Sequence, residues 1–346
     1  MKFSITELLR QANEMKASDL HISVGAPPIY RVDGELQPFG TEILTPEVTE
    51  EMAKELLNSN WDYFQQKGEY DFAYSLGTEA RFRINVFKQK RNVSIATRVI
   101  TESIPTVEQL GLPSILTKLM HEPHGLILVT GPTGSGKTST LAAMISYVNQ
   151  TMKKHIITFE DPIEYIHNHN QSIIQQREVG IDTLQFADGL RAALRQDPDI
   201  LLVGEMRDLE TISTAITAAE TGHLVLATLH TNSAVQTIHR IIDIFPPHQQ
   251  QQIRIQLASV IKAVISQRLF PRIDGPGRVA ATEIMIGTPA VGNLIRQEKI
   301  EQIENVLQTN AAAGMHTLQM SLKRLVELGR VSAEEAKRYL SNVGDG

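Results

Sequence analysis

The chain contains no cysteine, which excludes disulfides and cysteine-ligated metal sites and agrees with a reducing compartment. Long apolar runs are missing as well. No stretch approaches the roughly 20 consecutive apolar residues that a membrane-crossing helix needs, so action at a membrane is expected to run through a partner. The opening residues, MKFSITELLRQANEMK, interrupt every apolar run with acidic or polar side chains and are not expected to be a secretory signal. An excess of positive charge is also lacking. The formal net charge is -6, which argues against a protein that binds nucleic acid directly. Long repeats and low-complexity segments are absent. What remains is ordinary globular composition, 42% hydrophobic and 21% charged over 346 residues. At roughly 150 residues per domain, that length predicts two domains, each with its own core. The expected location is cytoplasmic.

The apolar pattern changes once along the chain. Residues 5–16 have helical spacing, with Ile5, Leu8, Leu9 and Ala12 on one face. Leu20 to Val24 and Ile29 to Val32 alternate and lead through an Asp33-Gly34 turn to Glu35 and Leu36, a hairpin pattern. Residues 46–58 predict a helix opening after Thr45-Pro46. Asp71 to Ser75, Ala80 to Phe87 and Val93 to Val99 alternate again. Residues 1–100 are therefore expected to form a small α+β domain with an antiparallel sheet, and residues 101–112, with Pro105 and Gly111, a linker and hinge. Residues 113–346 read differently. Leu126 to Thr130, Ile156 to Phe159, Ile200 to Val203 and Leu224 to Thr228 are short, nearly unbroken apolar strands separated by helices. That is the signature of a parallel α/β sheet covered on both faces. From about residue 245 the pattern predicts mostly helix to the end.

Gly131-Pro132-Thr133-Gly134-Ser135-Gly136-Lys137-Thr138 matches the phosphate-loop pattern G-x-x-x-x-G-K-[ST], here between a buried strand and a helix beginning near Ser139. Glycines let successive backbone N–H groups turn toward phosphate oxygens, and the helix N-terminus adds its dipole. Pro132, Thr133, Gly134, Ser135, Gly136, Lys137, Thr138 and Ser139 are the candidate nucleotide contacts. Lys137 is expected to reach the β- and γ-phosphates of ATP, and Thr138 to ligate Mg²⁺.

Polar clusters follow three apolar strands: Glu160-Asp161-Pro162-Ile163-Glu164, Gly204-Glu205 and Leu229-His230. Parallel strands end on one edge of their sheet, where ligands bind, so all three are expected to face the phosphate loop. Hydrolysis calls for one carboxylate to orient water and another for the metal shell. Glu164 is the first choice for the water, with Glu160 and Asp161 as competitors, and Glu205 is assigned to the metal. Glu164 is counted with Thr138 and Glu205 among the candidate metal residues. His223 and His230 are candidates for sensing the γ-phosphate. His167-Asn168-His169-Asn170 reads as a polar loop, because no third metal ligand is apparent.

Between Ala80 and Arg98 stand six basic residues and no acidic one: Arg81, Arg83, Lys88, Lys90, Arg91 and Arg98. Arg81 and Arg83 share a strand face. A solvated face, a nucleic-acid patch and a set of nucleotide-reaching arginines all fit. Phe82 falls on the opposite face from the arginines, which spoils a base-stacking platform.

Taken together, GPTGSGKT, ITFEDPIEY, LRQDPDILLVGEMRD and TGHLVLATLHTNSA resemble, in order, the Walker A, Asp box, Walker B and His box of the secretion ATPases of type II and type IV systems. The likeness runs from about Ala17 to the C-terminal helices. Within that family the chain is most similar to the type IV pilus retraction branch. It has one small N-terminal domain, lacks the tetracysteine zinc insert of assembly members, and carries Gly287-Thr288-Pro289-Ala290-Val291-Gly292-Asn293-Leu294-Ile295-Arg296-Gln297, close to the retraction signature AIRNLIRE with departures at Val291, Gly292 and Gln297. The resemblance implies a PAS-like N-terminal domain, a RecA-like P-loop NTPase core and a homohexameric ring that binds nucleotide between its domains. It further implies ATP-hydrolysing motor activity, coupled through domain closure to a PilC-like inner-membrane pilus platform protein. By motif it makes Glu164 the catalytic glutamate, Glu205 the Walker B acid, His223 and His230 the His-box pair, and Arg81, Arg83 and Arg98 nucleotide-facing arginines. Pilus-assembly and DNA-uptake ATPases share every nucleotide residue. A RecA-like nucleic-acid translocase and a non-hydrolysing nucleotide switch are the more distant alternatives.

Overall fold

The computed structural model describes residues 4–32, 34–77, 80–100 and 103–343. By contacts the chain divides into two units, Met1–Ser103 with Pro162–Ile166, and Ile104–Asp161 with His167–Gly346.

The first unit is built by alternation. Its elements are α1 (Ile5–Glu14), β1 (Asp19–Ile22), β2 (Ile29–Val32), β3 (Glu35–Pro38), α2 (Pro46–Leu57), α3 (Trp61–Lys67), β4 (Glu69–Leu76), β5 (Ala80–Gln89) and β6 (Asn92–Ile100). The strands pair antiparallel in the order β3-β2-β1-β6-β5-β4. On β5, Phe82, Ile84 and Val86 are buried while Arg81, Arg83 and Asn85 are half-exposed, as a period-two strand with one wet face requires. The buried side meets Ile5, Leu8, Leu9 and Ala12 of α1 and Met52, Ala53, Leu56 and Leu57 of α2 in one apolar cluster. Tyr30 lies fully inside it and donates its hydroxyl to the Leu8 carbonyl at 2.9 Å. Burial pushes that phenol well above its ordinary pKa. Asp33 of the expected turn, and residues 101 and 102 of the expected linker, lie outside the described residues. Gly34 takes the left-handed φ of +88° that a tight turn demands.

The second unit holds α4 (Ile115–Leu119), β7 (Gly125–Thr130), α5 (Lys137–Thr151), β8 (His155–Glu160), β9 (Ile173–Glu178), α6 (Phe186–Ala193), β10 (Ile200–Val203), α7 (Leu209–Glu220), β11 (Leu224–Leu229), α8 (Ala234–Asp243) and α9 (Pro247–Val260). It continues through β12 (Ile261–Pro271), β13 (Arg278–Ile286), α10 (Pro289–Arg296), α11 (Ile303–Thr309), α12 (Leu318–Glu327) and α13 (Ala333–Val343). The seven strands form one sheet in the order β13-β12-β7-β11-β10-β8-β9. Every pair is parallel except β12 with β13. Alternate residues of the same strand serve opposite faces. Leu126 and Leu128 of β7 join one core with α7, α8 and α9, and Ile127 and Val129 join another with α5. This explains why these strands read as unbroken apolar runs. The architecture is a RecA-like α/β core.

One expectation needs refinement. Helices do predominate among the described residues beyond 245, but the run is interrupted by β12 and β13, a long hairpin that extends the sheet beside β7. Lys, Ala, Gln, Arg and Leu in β12 favour helix, but pairing with β7 outweighs that preference. The informative signal was two runs containing Val, Ile and Thr around Asp274-Gly275-Pro276-Gly277. Within the expected linker, residues 104–112 fold into a hydrogen-bonded turn whose Val107 and Leu112 are buried in the second unit's core.

Candidate nucleotide site

Strand order assembles this site. Because β7, β11, β10 and β8 are adjacent and parallel, the residues that follow them emerge side by side on one edge. These are the loop from Gly131, then His230, then Gly204 and Glu205, then Asp161. The edge is cross-tied by backbone hydrogen bonds, Gly131 N–H to Leu229 C=O at 3.3 Å, Met206 N–H to Thr228 C=O at 3.1 Å, and Gly204 N–H to Phe159 C=O at 2.7 Å. The Thr228 hydroxyl adds a bond to the Gly204 carbonyl at 2.5 Å. Gly204 stands where many phosphate-loop enzymes have Asp, and the packing gives a reason. A Cβ there would lie 3.0 Å from the Phe159 carbonyl oxygen and 3.3 Å from the Glu160 Cα.

The loop itself needs its glycines. Gly134 and Gly136 adopt φ of +76° and +89°, which L side chains rarely reach, and a Cβ on Gly131 would fall 2.4 Å from the Gln267 carbonyl oxygen. Lys137 opens α5 and folds its ammonium back over the loop, donating to the carbonyls of Gly131 at 2.8 Å and Pro132 at 3.1 Å. Thr133 and Gly134 are exposed at the tip, and Pro132, Thr138 and Ser139 are half-buried. The Ser135 hydroxyl is buried with no hydrogen-bond partner, a group that requires an acceptor or donor from elsewhere. An orphaned hydroxyl, an ammonium and the first-turn N–H groups of α5, which have no intrahelical acceptors, fit phosphate oxygens. The hydroxyl of Thr138 and the carboxylate of Glu205 are oxygen donors of the kind that a hard cation such as Mg²⁺ takes.

Glu205 is held firmly. One carboxylate oxygen sits 2.9 Å from His230 Nε2 and 2.6 Å from Arg207 Nε, and the side chain is only 18% exposed. The bond to Glu205 raises the Arg207 pKa further. The Glu160 carboxylate accepts from Thr158 Oγ1 at 2.6 Å and Gln176 Nε2 at 3.0 Å. Glu164 is half-buried in Pro162–Ile166, a segment that belongs by its contacts to the first unit although it interrupts the second in sequence.

His223 is corrected. It precedes β11, and Leu224 is paired with Gly125 at the start of β7, so His223 lies on the opposite edge, about 20 Å of strand from His230. Its Nδ1 is 3.0 Å from the Ala218 carbonyl, closing the end of α7. On the phosphate loop of its own chain it is not a nucleotide ligand. His167 is kept neutral by burial, which lowers its pKa to about 4, and His169 Nδ1 accepts the Ile174 N–H at 3.1 Å.

The arginines cluster in the first unit. Arg83 and Arg98 are register partners on β5 and β6. Arg83 pairs with Asp71 at 2.7 Å, Arg98 with Asp19 at 3.1 Å, and Arg81 reaches Ser75 at 3.5 Å. Phe82 between them is fully buried.

One loop contact lies outside the motifs. Gln267, buried on β12, bonds the loop and α5 at once. Its only sequence mark was the polar pair Ser266-Gln267 inside the apolar stretch AVISQRLF.

The family model described as "Type II/IV secretion system protein" matches residues 1–338. The chain is 48% identical over 334 residues to the type IV pilus "retractation ATPase PilT" of Pseudomonas aeruginosa, covering 96% of this chain and 97% of that one. It is 46% identical over 341 residues to a twitching motility protein of Neisseria gonorrhoeae, covering 98% and 91%. Its fold matches the crystal structure of the pilus retraction motor PilT with bound ADP at a TM-score of 0.90, with 46% identity and 96% of each chain covered. The chain belongs to the type II/IV secretion system protein family.

Proposed function

We propose that this protein is an Mg²⁺-dependent ATPase that drives type IV pilus retraction. The observation that carries the reading is the rim where the phosphate loop, Glu205 and His230 meet on consecutive strands, in a chain matched nearly end to end by a retraction ATPase.

Lys137 and the loop N–H groups hold the β- and γ-phosphates. Thr138 and Glu205 hold Mg²⁺, which when bound neutralises phosphate charge. Glu164 orients the attacking water and takes its proton. His230, bonded to Glu205, couples the carboxylate's position to the end of β11. Arg81, Arg83 and Arg98 stabilise phosphate charge within a homohexamer. The first unit serves as the PAS-like N-terminal domain and the second as the motor core. The motor works in the cytoplasm and reaches the inner membrane through a PilC-like platform protein, without direct nucleic acid.

Two measurements test this. Purified protein should hydrolyse ATP with Mg²⁺, and Glu164→Ala should stop turnover while leaving nucleotide affinity near wild type. Undiminished hydrolysis by that variant would reject the role of Glu164. Deleting the gene should raise the number of surface pili and abolish motility. Fewer pili would point to assembly instead.

A further inference from the structure

The buried amide of Gln267 has no part in the chemistry just proposed, yet it is bonded to the phosphate loop more directly than any motif carboxylate described above. Ser266 is the register partner of Thr130 across β12 and β7, and the two hydroxyls lie 2.8 Å apart. Gln267 therefore comes level with the start of the loop. The residue is 3% exposed. Its Nε2 donates to the Ser135 carbonyl at 2.7 Å, and its Oε1 accepts from Thr140 Oγ1 at 2.9 Å. One partner can only accept and the other donates, so the amide has one satisfying orientation. The fit is close on both sides. A Cβ on Gly131 would collide with the backbone oxygen of Gln267, and one on Gly136 would lie 3.1 Å from its Nε2.

A phosphate loop aims its N–H groups inward, so its carbonyls point outward. At Ser135 outward means into the protein, where an unpaired carbonyl is costly. Gln267 supplies that missing donor and anchors itself on the first turn of α5. We infer that Gln267 is a positioning residue for nucleotide binding, holding Ser135 and α5 in the phosphate-receiving arrangement before ligand arrives. The inference rests on the reading that this loop binds nucleotide. A residue that preorganises a site acts on affinity and leaves the chemical step largely untouched.

The test compares ADP affinity by titration of a fluorescent ADP, and KM and kcat for ATP, in the full-length protein and its variants. Gln267→Glu keeps the size and the Thr140 acceptor but sets a carboxylate oxygen against the Ser135 carbonyl. It should weaken ADP about tenfold or more and raise KM similarly, with kcat changed by less than about threefold. Thr140→Val removes only the helix-side bond at constant volume, and should weaken ADP by about threefold. It carries the test alone if the Gln267 variant does not fold. Wild-type ADP affinity in Gln267→Glu, or in Thr140→Val when that variant stands alone, overturns the inference. So does a loss confined to kcat. Lys137→Ala separates the two readings. If it binds ADP as tightly as wild type, the loop is not the nucleotide site and both readings fall. If it loses ADP while the Gln267 and Thr140 variants keep it, only the inference falls.

Discussion

Two groups of residues surround the phosphate loop, and they reach it differently. Glu205 and His230 come from the ends of β10 and β11, on neighbouring strands of one parallel edge. Gln267 comes from the middle of β12, sideways across a strand pair. The first group is placed by topology, because any residue following a parallel strand arrives at that edge. The second is placed by register, and a slip of one residue would turn its side chain to the other face. Strand-end chemistry therefore tolerates local drift, whereas the hairpin contact depends on β12 holding its alignment.

Variants can break this contrast at either side. The largest effect is expected from Lys137→Ala on the motif side, which should lower ATP turnover by about 10²–10³-fold or more without shifting the melting temperature. Steady-state hydrolysis and thermal denaturation together check it. On the hairpin side, Gly287→Ala is a stability probe. Its new Cβ would lie 1.8 Å from the Ile261 carbonyl oxygen at the root of β12, and should cost roughly 3 kcal/mol by denaturant unfolding.

Glu283 on β13 sharpens the comparison through pH. Its buried carboxyl accepts N–H bonds from Ala234 and Leu318, the first residues of α8 and α12. Burial, with a small addition from Glu304, raises its pKa above the usual 4.5 despite those bonds. With the folded value above the unfolded one, its contribution to stability is full below about 4.5 and is lost as pH rises through the folded pKa. The stability of wild type relative to Glu283→Gln should therefore fall from pH 4 to pH 7, as read by unfolding curves across that range. A difference that stays flat or rises would contradict the assignment.

The smallest effects separate the two edges of one strand. His230→Ala should slow turnover by about tenfold or more. His223→Ala, at the far end of β11, should leave ADP affinity within about twofold of wild type.

These contrasts also explain what could be read without coordinates. The phosphate loop, β7, β8, β10 and β11 were legible because buried parallel strands are unbroken apolar runs and each ends in a polar cluster. The antiparallel first unit was legible because Arg81-Phe82-Arg83-Ile84 alternates wet and dry. The β12–β13 hairpin was not, since Lys262, Ala263, Gln267, Arg268 and Leu269 favour helix singly and mask the Val, Ile and Thr runs that pair as strands. The place of His223 is hidden in the sequence for a related reason. Proximity to His230 in sequence says nothing about which end of a strand each occupies, and six extended residues carry the chain across the whole sheet. Pro162–Ile166 posed a further problem, because local sequence attaches Glu164 to β8 while its contacts are with the first unit.

The most direct test is amide hydrogen exchange on the full-length protein with and without Mg²⁺-ADP. The account predicts slowed exchange at residues 131–139, 204–207 and 228–231, with no change at 121–125 and 221–224. Protection at the 221–224 edge, with the loop at 131–139 unaffected, would contradict it.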